Sequence, residues 1–302
     1  MGGVSFLFSG QGDQFPGMGQ NLYETYPAAR EAFDLCESLR PGTLEQCFRG
    51  TAEELKETRN TQPCLFAMEL AAAAVLEEKG IVPEAAAGFS LGEVTAAAFT
   101  SIVDRETGFR LVCKRGALMQ AAAEQFDTSM AAVVKLTPET VQELCSRYSQ
   151  VYPVNFNCPG QITVSGLAEQ MTAFAADVKA AGGRAIPLKV GGAFHSPFMA
   201  QAAQAFADEL ANAAMSKGRM PLYSNVTARP YEEDPRDLLS RQIASPVLWE
   251  RIICNMADAG MDTFIEIGPG KTLTNMVKKI LPQAKTYCVA EMETLLKEVA
   301  GC

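Results

Sequence analysis

The five residues Gly88-Phe89-Ser90-Leu91-Gly92 admit few backbone paths. They stand between a short apolar run, Ala85 to Phe89, and a helix-like segment, Glu93 to Phe99. In that setting a Gly-x-Ser-x-Gly pentapeptide reads as a sharp strand-to-helix turn with the serine at its tip. Glycine is required on both sides because a side chain there would collide with the neighbouring strand or helix. The turn presents the Ser90 hydroxyl, and the Leu91 amide at the helix N-terminus can point at a developing oxyanion. Ala85 to Phe89 has poor β-propensity, so its reading as a strand rests on the motif rather than on its residues.

The flanking segments supply alternating strands and helices. Val4 to Phe8 reads as a buried strand ended by Ser9-Gly10-Gln11-Gly12-Asp13-Gln14. No Gly-Lys-Ser/Thr follows, so this is not a P-loop. The loop either turns tightly into a helix or offers a backbone amide to a reacting oxygen. Residues 21–58 read as helical, with Thr43 and Thr51 as caps. Thr61-Gln62-Pro63 opens a helix over Cys64 to Lys79, with Pro63 in its first turn and Gly80 as its stop. Leu65, Met68, Ala72 and Leu76 repeat at helical spacing and form its core face.

Asp104 caps a longer helix, Arg105 to about Gln125. On it Phe109, Val112, Gly116, Met119 and Ala123 gather on one side, while Leu111 and Leu118 bound the other edge. Arg115 falls inside that apolar arc and Lys114 just outside it. An arginine there either snorkels or pairs with a core acid, or it waits for a carboxylate that a substrate brings.

Residues 129–190 change texture. The expected elements are a strand Met130 to Leu136, a helix Pro138 to Tyr148 and a strand Val151 to Asn157. A strand Ile162 to Ser165, a helix Ala168 to Ala181 and a strand Ala185 to Val190 follow. The order βαββαβ is the ferredoxin-like pattern, which divides the chain into a discontinuous large α/β domain, 1–127 and 192–302, and an inserted subdomain, 128–191. Ser196 and Pro197 then read as the N-cap and first residue of a helix running to about Met215. That puts His195, the chain's only histidine, at a helix mouth where the dipole disfavours imidazolium. Strands are expected at Leu222 to Val226, Thr263 to Ile267 and Thr286 to Val289. Gly270-Lys271-Thr272 mimics the tail of a Walker A loop, but Ile265 stands where its first glycine belongs.

Composition removes several functions. A net charge of −9 argues against nucleic acid, whose binding rests on clustered Lys and Arg. Nine cysteines, odd in number and with no Cys-x-x-Cys, suit a reduced cytoplasmic chain. With one histidine, no metal site is expected. The start lacks a signal-peptide pattern. The run Leu65 to Leu76 carries Glu69 and is too short to span a bilayer, so no membrane role is expected.

Taken together, these segments are similar to the malonyl-CoA:acyl-carrier-protein transacylases and the related acyltransferase domains of polyketide synthases. The resemblance rests on Gly10-Gln11-Gly12-Asp13-Gln14, Gly88 to Glu93, Lys114-Arg115-Gly116 with Met119, and Asn157-Cys158-Pro159-Gly160-Gln161. Gly192-Ala193-Phe194-His195-Ser196, Ser245-Pro246-Val247 with Trp249, and Glu266-Ile267-Gly268-Pro269-Gly270 complete it, in the family's order.

The resemblance implies an α/β-hydrolase-like large domain with a parallel-sheet core and a nucleophile elbow. It makes Ser90 the nucleophile, His195 its general base, and the amides of Gln11 and Leu91 the oxyanion hole. Arg115 would bind the malonyl carboxylate, with Met119, Phe89 and Phe194 beside it in the substrate site. A backbone carbonyl before Pro246, carried over to Ser245, would orient the histidine. An acidic third member, Asp13 or Glu266, stays open. The family's elbow most often reads Gly-His-Ser-x-Gly, and here Phe89 replaces that histidine, throwing more of the carboxylate recognition onto Arg115. Ala193-Phe194-His195 resembles the malonyl-selecting form of the specificity motif. The implied partners are malonyl-CoA and acyl-carrier protein, with no cofactor and a monomeric enzyme. Arg184, Lys189, Lys271, Lys278 and Lys279 are candidates for a basic patch facing the carrier. The rival functions are a thioester hydrolase on the same residues and a non-catalytic carrier-docking module.

Overall fold

The computed structural model describes residues 2–188, 190–232 and 234–299. These form nine strands: β1 (Gly3–Phe8), β2 (Ala85–Gly88), β3 (Thr128–Val134), β4 (Val151–Cys158), β5 (Gln161–Leu167), β6 (Arg184–Pro187), β7 (Leu222–Tyr223), β8 (Met261–Ile267) and β9 (Lys285–Cys288). Two sheets result. The larger is parallel throughout, in the order β7-β2-β1-β8-β9. Its central strands are buried on both faces and largely apolar, as a sheet covered by helices on both sides requires.

From β1 the chain adds β2 on one side and, much later, β8 on the other, so the strand order reverses there. Phe8 stands level with Gly88 and with Ile267. The loops leaving all three strands therefore emerge together, at the carboxyl edge where open α/β sheets hold their ligands. Two of these loops are Ser9 to Gln14 and the Phe89-Ser90 turn.

The smaller sheet is antiparallel, in the order β4-β5-β3-β6. Helices Pro138–Ser146 and Ala168–Ala180 cover one face of it. Val141, Leu144, Cys145, Met171, Phe174 and Val178 pack there on Val133, Ile162 and Val164. It is fastened to the larger unit along β4: the Phe156 amide donates to the Val247 carbonyl (2.9 Å), and the Val247 amide to that of Val154 (2.8 Å). The element order βαββαβ and the sequence agree, with some ends coincident and the others shifted by one to three residues. The last strand stops at Pro187, which has no amide hydrogen to donate. The Leu188 amide still reaches the Met130 carbonyl.

Several local expectations are corrected. Helix Thr58–Glu78 begins six residues before Cys64 and carries Pro63 in its interior. Tertiary contacts pin its start. The Thr58 amide donates to Gln120 Oε1, and Gly116 of helix Arg105–Ala123 presents no side chain to the Thr58 and Arg59 backbone packed against it. Thr43 is not a cap, since its hydroxyl donates back to the Arg40 carbonyl, whereas Thr51 and Glu54 make a reciprocal capping box. Ser196 does not cap either. Its hydroxyl donates to the Ala193 carbonyl, a 3-10 turn Pro197–Met199 follows, and the helix proper is Ala200–Ala211. β7 closes after Tyr223 because the chain turns at once, with the Ala228 amide on the Ser224 carbonyl.

Candidate active site

At the tip of the turn Ser90 has φ 54° and ψ −106°, a conformation an L-residue adopts at a cost of about 1–3 kcal/mol. The surrounding residues leave it no other. A Cβ at Gly88 would overlap the Gly92 carbonyl, and one at Gly92 would overlap the carbonyls of Phe8 and Ser9. Asn225, just beyond β7, clamps the turn from outside. Its Oδ1 accepts the Ser90 amide at 2.8 Å and its Nδ2 donates to the Gly88 carbonyl at 2.6 Å.

His195 arrives from the loop beyond β6, itself at φ 61°. Its Nε2 lies 2.7 Å from Ser90 Oγ, and its Nδ1 lies 2.9 Å from the Gln242 carbonyl oxygen. A carbonyl can only accept, so Nδ1 carries the proton and Nε2 offers its lone pair to the serine hydroxyl. The carbonyl that holds Nδ1 thus belongs to Gln242, and the Ser245 backbone acts on the ring in the same direction. Neither acidic candidate completes a triad: Asp13 accepts the Thr272 hydroxyl (2.6 Å) and Glu266 accepts the Leu273 and Thr274 amides. Burial, seconded by the Arg115 charge, pushes the imidazole down to about 4. Desolvation therefore keeps the ring neutral, where the sequence suggested a helix dipole.

Arg115 is completely buried and has no carboxylate in contact among the described residues. Its Nη1 donates to Gln62 Oε1 (2.9 Å), and its Nη2 to Gln242 Oε1 (2.6 Å) and Ser90 Oγ (3.2 Å), while Nε has no partner. Burial pulls its pKa down to about 10, against the pull of Glu93. A cation held by neutral acceptors beside a reactive hydroxyl is an incomplete ion pair, shaped to receive an anion attached to that hydroxyl.

Three further residues organise the site without a periodic signal to announce them. Gln242 holds Arg115 through Oε1 and the His195 ring through its carbonyl, and donates through Nε2 to the Ser90 carbonyl and Glu93 Oε2, both at 2.7 Å. Glu93, fully buried, also accepts the Asn225 amide (3.0 Å) and the Tyr231 hydroxyl (2.5 Å), and burial pushes its carboxyl up to about 7. Gln62 orients Arg115 and donates its other end to the Met119 sulfur at 3.4 Å.

A small cavity of about 80 Å³ opens over Ser90, walled by Gln11, Leu91, Met119, Phe194 and His195. Through Gln11, Phe89, Asn155 and Leu188 it shares walls with a groove of about 230 Å³ between the two sheets' units. Phe89 faces that groove and packs edge-on against Trp249, ring centroids 5.4 Å apart. The amides of Gln11 and Leu91 border the same cavity and make no hydrogen bond to another described residue. Of the basic candidates, Lys271, Lys278 and Lys279 fall on helix Thr272–Ile280 and its cap, with Lys271 bound to Glu291 at 2.5 Å. Arg184 is exposed on β6. Lys189 lies outside the described residues.

Comparisons with known proteins agree with this picture. Residues 5–299 match the acyl transferase domain family. The malonyl CoA-acyl carrier protein transacylase of Bacillus subtilis is 38% identical, over 98% of this chain and 96% of that one. A crystal structure of the Clostridium perfringens protein of the same name superposes with a TM-score of 0.95 at 34% identity, covering 99% of this chain and 96% of that one. A malonyl-transacylase in complex with a type II PKS acyl-carrier protein superposes equally well at 31% identity, covering 99% and 100%.

Proposed function

The chain belongs to the acyl transferase domain family, and on that premise we infer that it moves a malonyl group from malonyl-CoA to the phosphopantetheine thiol of an acyl-carrier protein, through an acyl-serine intermediate. The observation that carries this reading is a serine hydroxyl shared by a neutral histidine at 2.7 Å and a buried arginine at 3.2 Å. His195 Nε2 takes the Ser90 proton as Oγ attacks the thioester carbonyl. The amides of Gln11 and Leu91 hold the oxyanion, each donor worth about 3–4 kcal/mol. The imidazolium returns its proton to the sulfur of CoA as the C–S bond breaks, leaving the malonyl-serine ester. The carrier thiol then attacks that ester. His195 takes its proton and returns it to Ser90 Oγ.

Arg115 grips the malonyl carboxylate, and Phe194, Phe89 and Met119 line the acyl site. Hydrolysis stays slow because the carboxylate contact fixes the acyl chain away from water. We read the Ser90 turn as a nucleophile elbow of α/β-hydrolase type. Residues 128–191 form a ferredoxin-like insertion between the two parts of the large domain, 1–127 and 192–302, a reading supported by the strand order and the parallel sheet. The enzyme works as a monomer in the cytoplasm. Among the described residues no helix is long and apolar enough to cross a membrane.

The direct test is labelling. Incubated with radiolabelled malonyl-CoA, the enzyme acquires one malonyl ester and passes it to acyl-carrier protein with little free malonate, and Ser90→Ala acquires none. Equal labelling of the two would sink the assignment, and release of malonate in place of malonyl-carrier would make the protein a hydrolase.

A further inference from the structure

Behind both oxyanion donors stands a buried carboxyl that the mechanism above does not use. Glu69 lies on helix Thr58–Glu78 and is fully buried. Its Oε1 accepts the hydroxyl of Ser9 at 2.6 Å. Ser9 is the first residue beyond β1. Its amide is fixed on the Ile267 carbonyl at 3.1 Å, and Gln11 follows two residues later. Thr95 lies near enough to the same carboxyl to act on it, and both Glu69 Oε2 and the Thr95 hydroxyl are buried with no hydrogen-bond partner among the described residues. Thr95 stands four residues beyond Leu91 on the elbow helix, about one turn. One side chain from a third element therefore bonds to the segment that carries one proposed oxyanion donor and stands beside the segment that carries the other.

We propose that Glu69, held as a neutral carboxylic acid, is a positioning residue that ties the Ser9–Gln11 loop to the elbow helix and fixes the spacing of the Gln11 and Leu91 amides. This rests on the reading of those two amides as the oxyanion hole. Neutrality matters because an ionised carboxylate here would set a negative charge behind the donors that must hold a developing oxyanion. Burial pushes the Glu69 carboxyl up to about 8, and Glu266 of β8, the ionisable group facing it, pushes the same way. No cation is paired with Glu69 among the described residues.

The test is the single-turnover rate of acylation by malonyl-CoA, read as intact malonyl-enzyme by mass spectrometry and normalised to sites that become labelled. Glu69→Gln keeps an acceptor for Ser9 and a donor for Thr95, and is expected to acylate within about threefold of wild type at pH 7. Glu69→Leu is expected to lower the limiting rate about tenfold or more with the half-saturating malonyl-CoA unchanged, as lost transition-state stabilisation does. The wild-type rate is expected to fall as pH rises through about 8, and the Glu69→Gln rate not to fall. Three outcomes overturn the proposal: Glu69→Leu acylating at the wild-type rate, Glu69→Gln as slow as Glu69→Leu, or the same alkaline fall in Glu69→Gln as in wild type. Should Glu69→Leu fail to fold, the pH profiles of wild type and Glu69→Gln decide alone. Failure of wild type to acylate at all overturns the malonyl-transfer reading instead, and is seen before any variant is made.

Discussion

Arg115 bears a charge that the protein alone does not neutralise. Its three hydrogen bonds go to Gln62, Gln242 and Ser90, all uncharged, and its nearest acid, Glu93, is reached only through the Gln242 amide. A carboxylate on the acyl group of Ser90 would supply what is missing, and a charge-assisted hydrogen bond to it is worth about 1.5–3 kcal/mol. Arg115→Ala is therefore expected to cut malonyl transfer roughly ten- to a hundredfold while acetyl transfer is spared or improved. Parallel rates with malonyl-CoA and acetyl-CoA check this. A uniform loss with both would make Arg115 structural. The residue was legible because a guanidinium inside an apolar arc breaks a pattern. Gln62, Gln242 and Asn225 were not, because single polar residues in a helix or loop break none, and their roles come from contacts 53 to 152 positions apart in the chain. Ser245 was the near miss. The carbonyl that orients the histidine comes from the same loop, but from the 3-10 turn three residues earlier.

The strand–turn–helix around Ser90 shows what a motif conveys that propensity does not. β2 is three alanines and a glycine, a poor strand by composition, yet it pairs with β1 along four residues and is buried on both faces. Small side chains are what the position requires, since tertiary packing overrides intrinsic preference. The glycines are fixed more strictly still. The Gly92 Cα faces the carbonyls of Phe8 and Ser9, rigid backbone of the central strand and the loop it feeds, so a methyl group there must push the elbow helix off the sheet. Gly92→Ala is expected to destabilise the fold by about 3 kcal/mol or more and to lose acyl-enzyme formation together with stability. Chemical denaturation with intact-mass labelling tests this. A variant of wild-type stability that labels normally would show that the elbow has more room than its contacts indicate. The strand ends in the smaller sheet, by contrast, were legible to within a few residues, because alternation and turn residues bound them.

For the molecule as a whole, building the site at the switch point of a buried parallel sheet puts several ionisable groups where water cannot reach them. Glu69 and Glu93 are held near 8 and 7, above the ordinary 4.5, chiefly by desolvation. A carboxyl raised in this way contributes stability that is complete below 4.5 and is lost as pH rises through the folded value, because the unfolded chain ionises first. His195, held near 4 below its ordinary 6.5, acts in the opposite sense. Its contribution is complete above 6.5 and is lost as pH falls through 4. Between 4.5 and 6.5 the two effects oppose each other, and between about 6.5 and 8 only the carboxyls act. The protein is therefore expected to lose about 2 kcal/mol of stability through Glu69 and somewhat less than about 1 kcal/mol through Glu93 across that upper interval, seen as a falling melting temperature that levels off above pH 8. Glu69→Gln should flatten part of that fall. A melting temperature constant from pH 6.5 to 8 would mean that these carboxyls are already ionised in the folded protein, with their charge met by water or by Arg115. The net charge of −9 favours the same slope on general grounds, so the difference between wild type and Glu69→Gln, not the slope itself, measures the buried group.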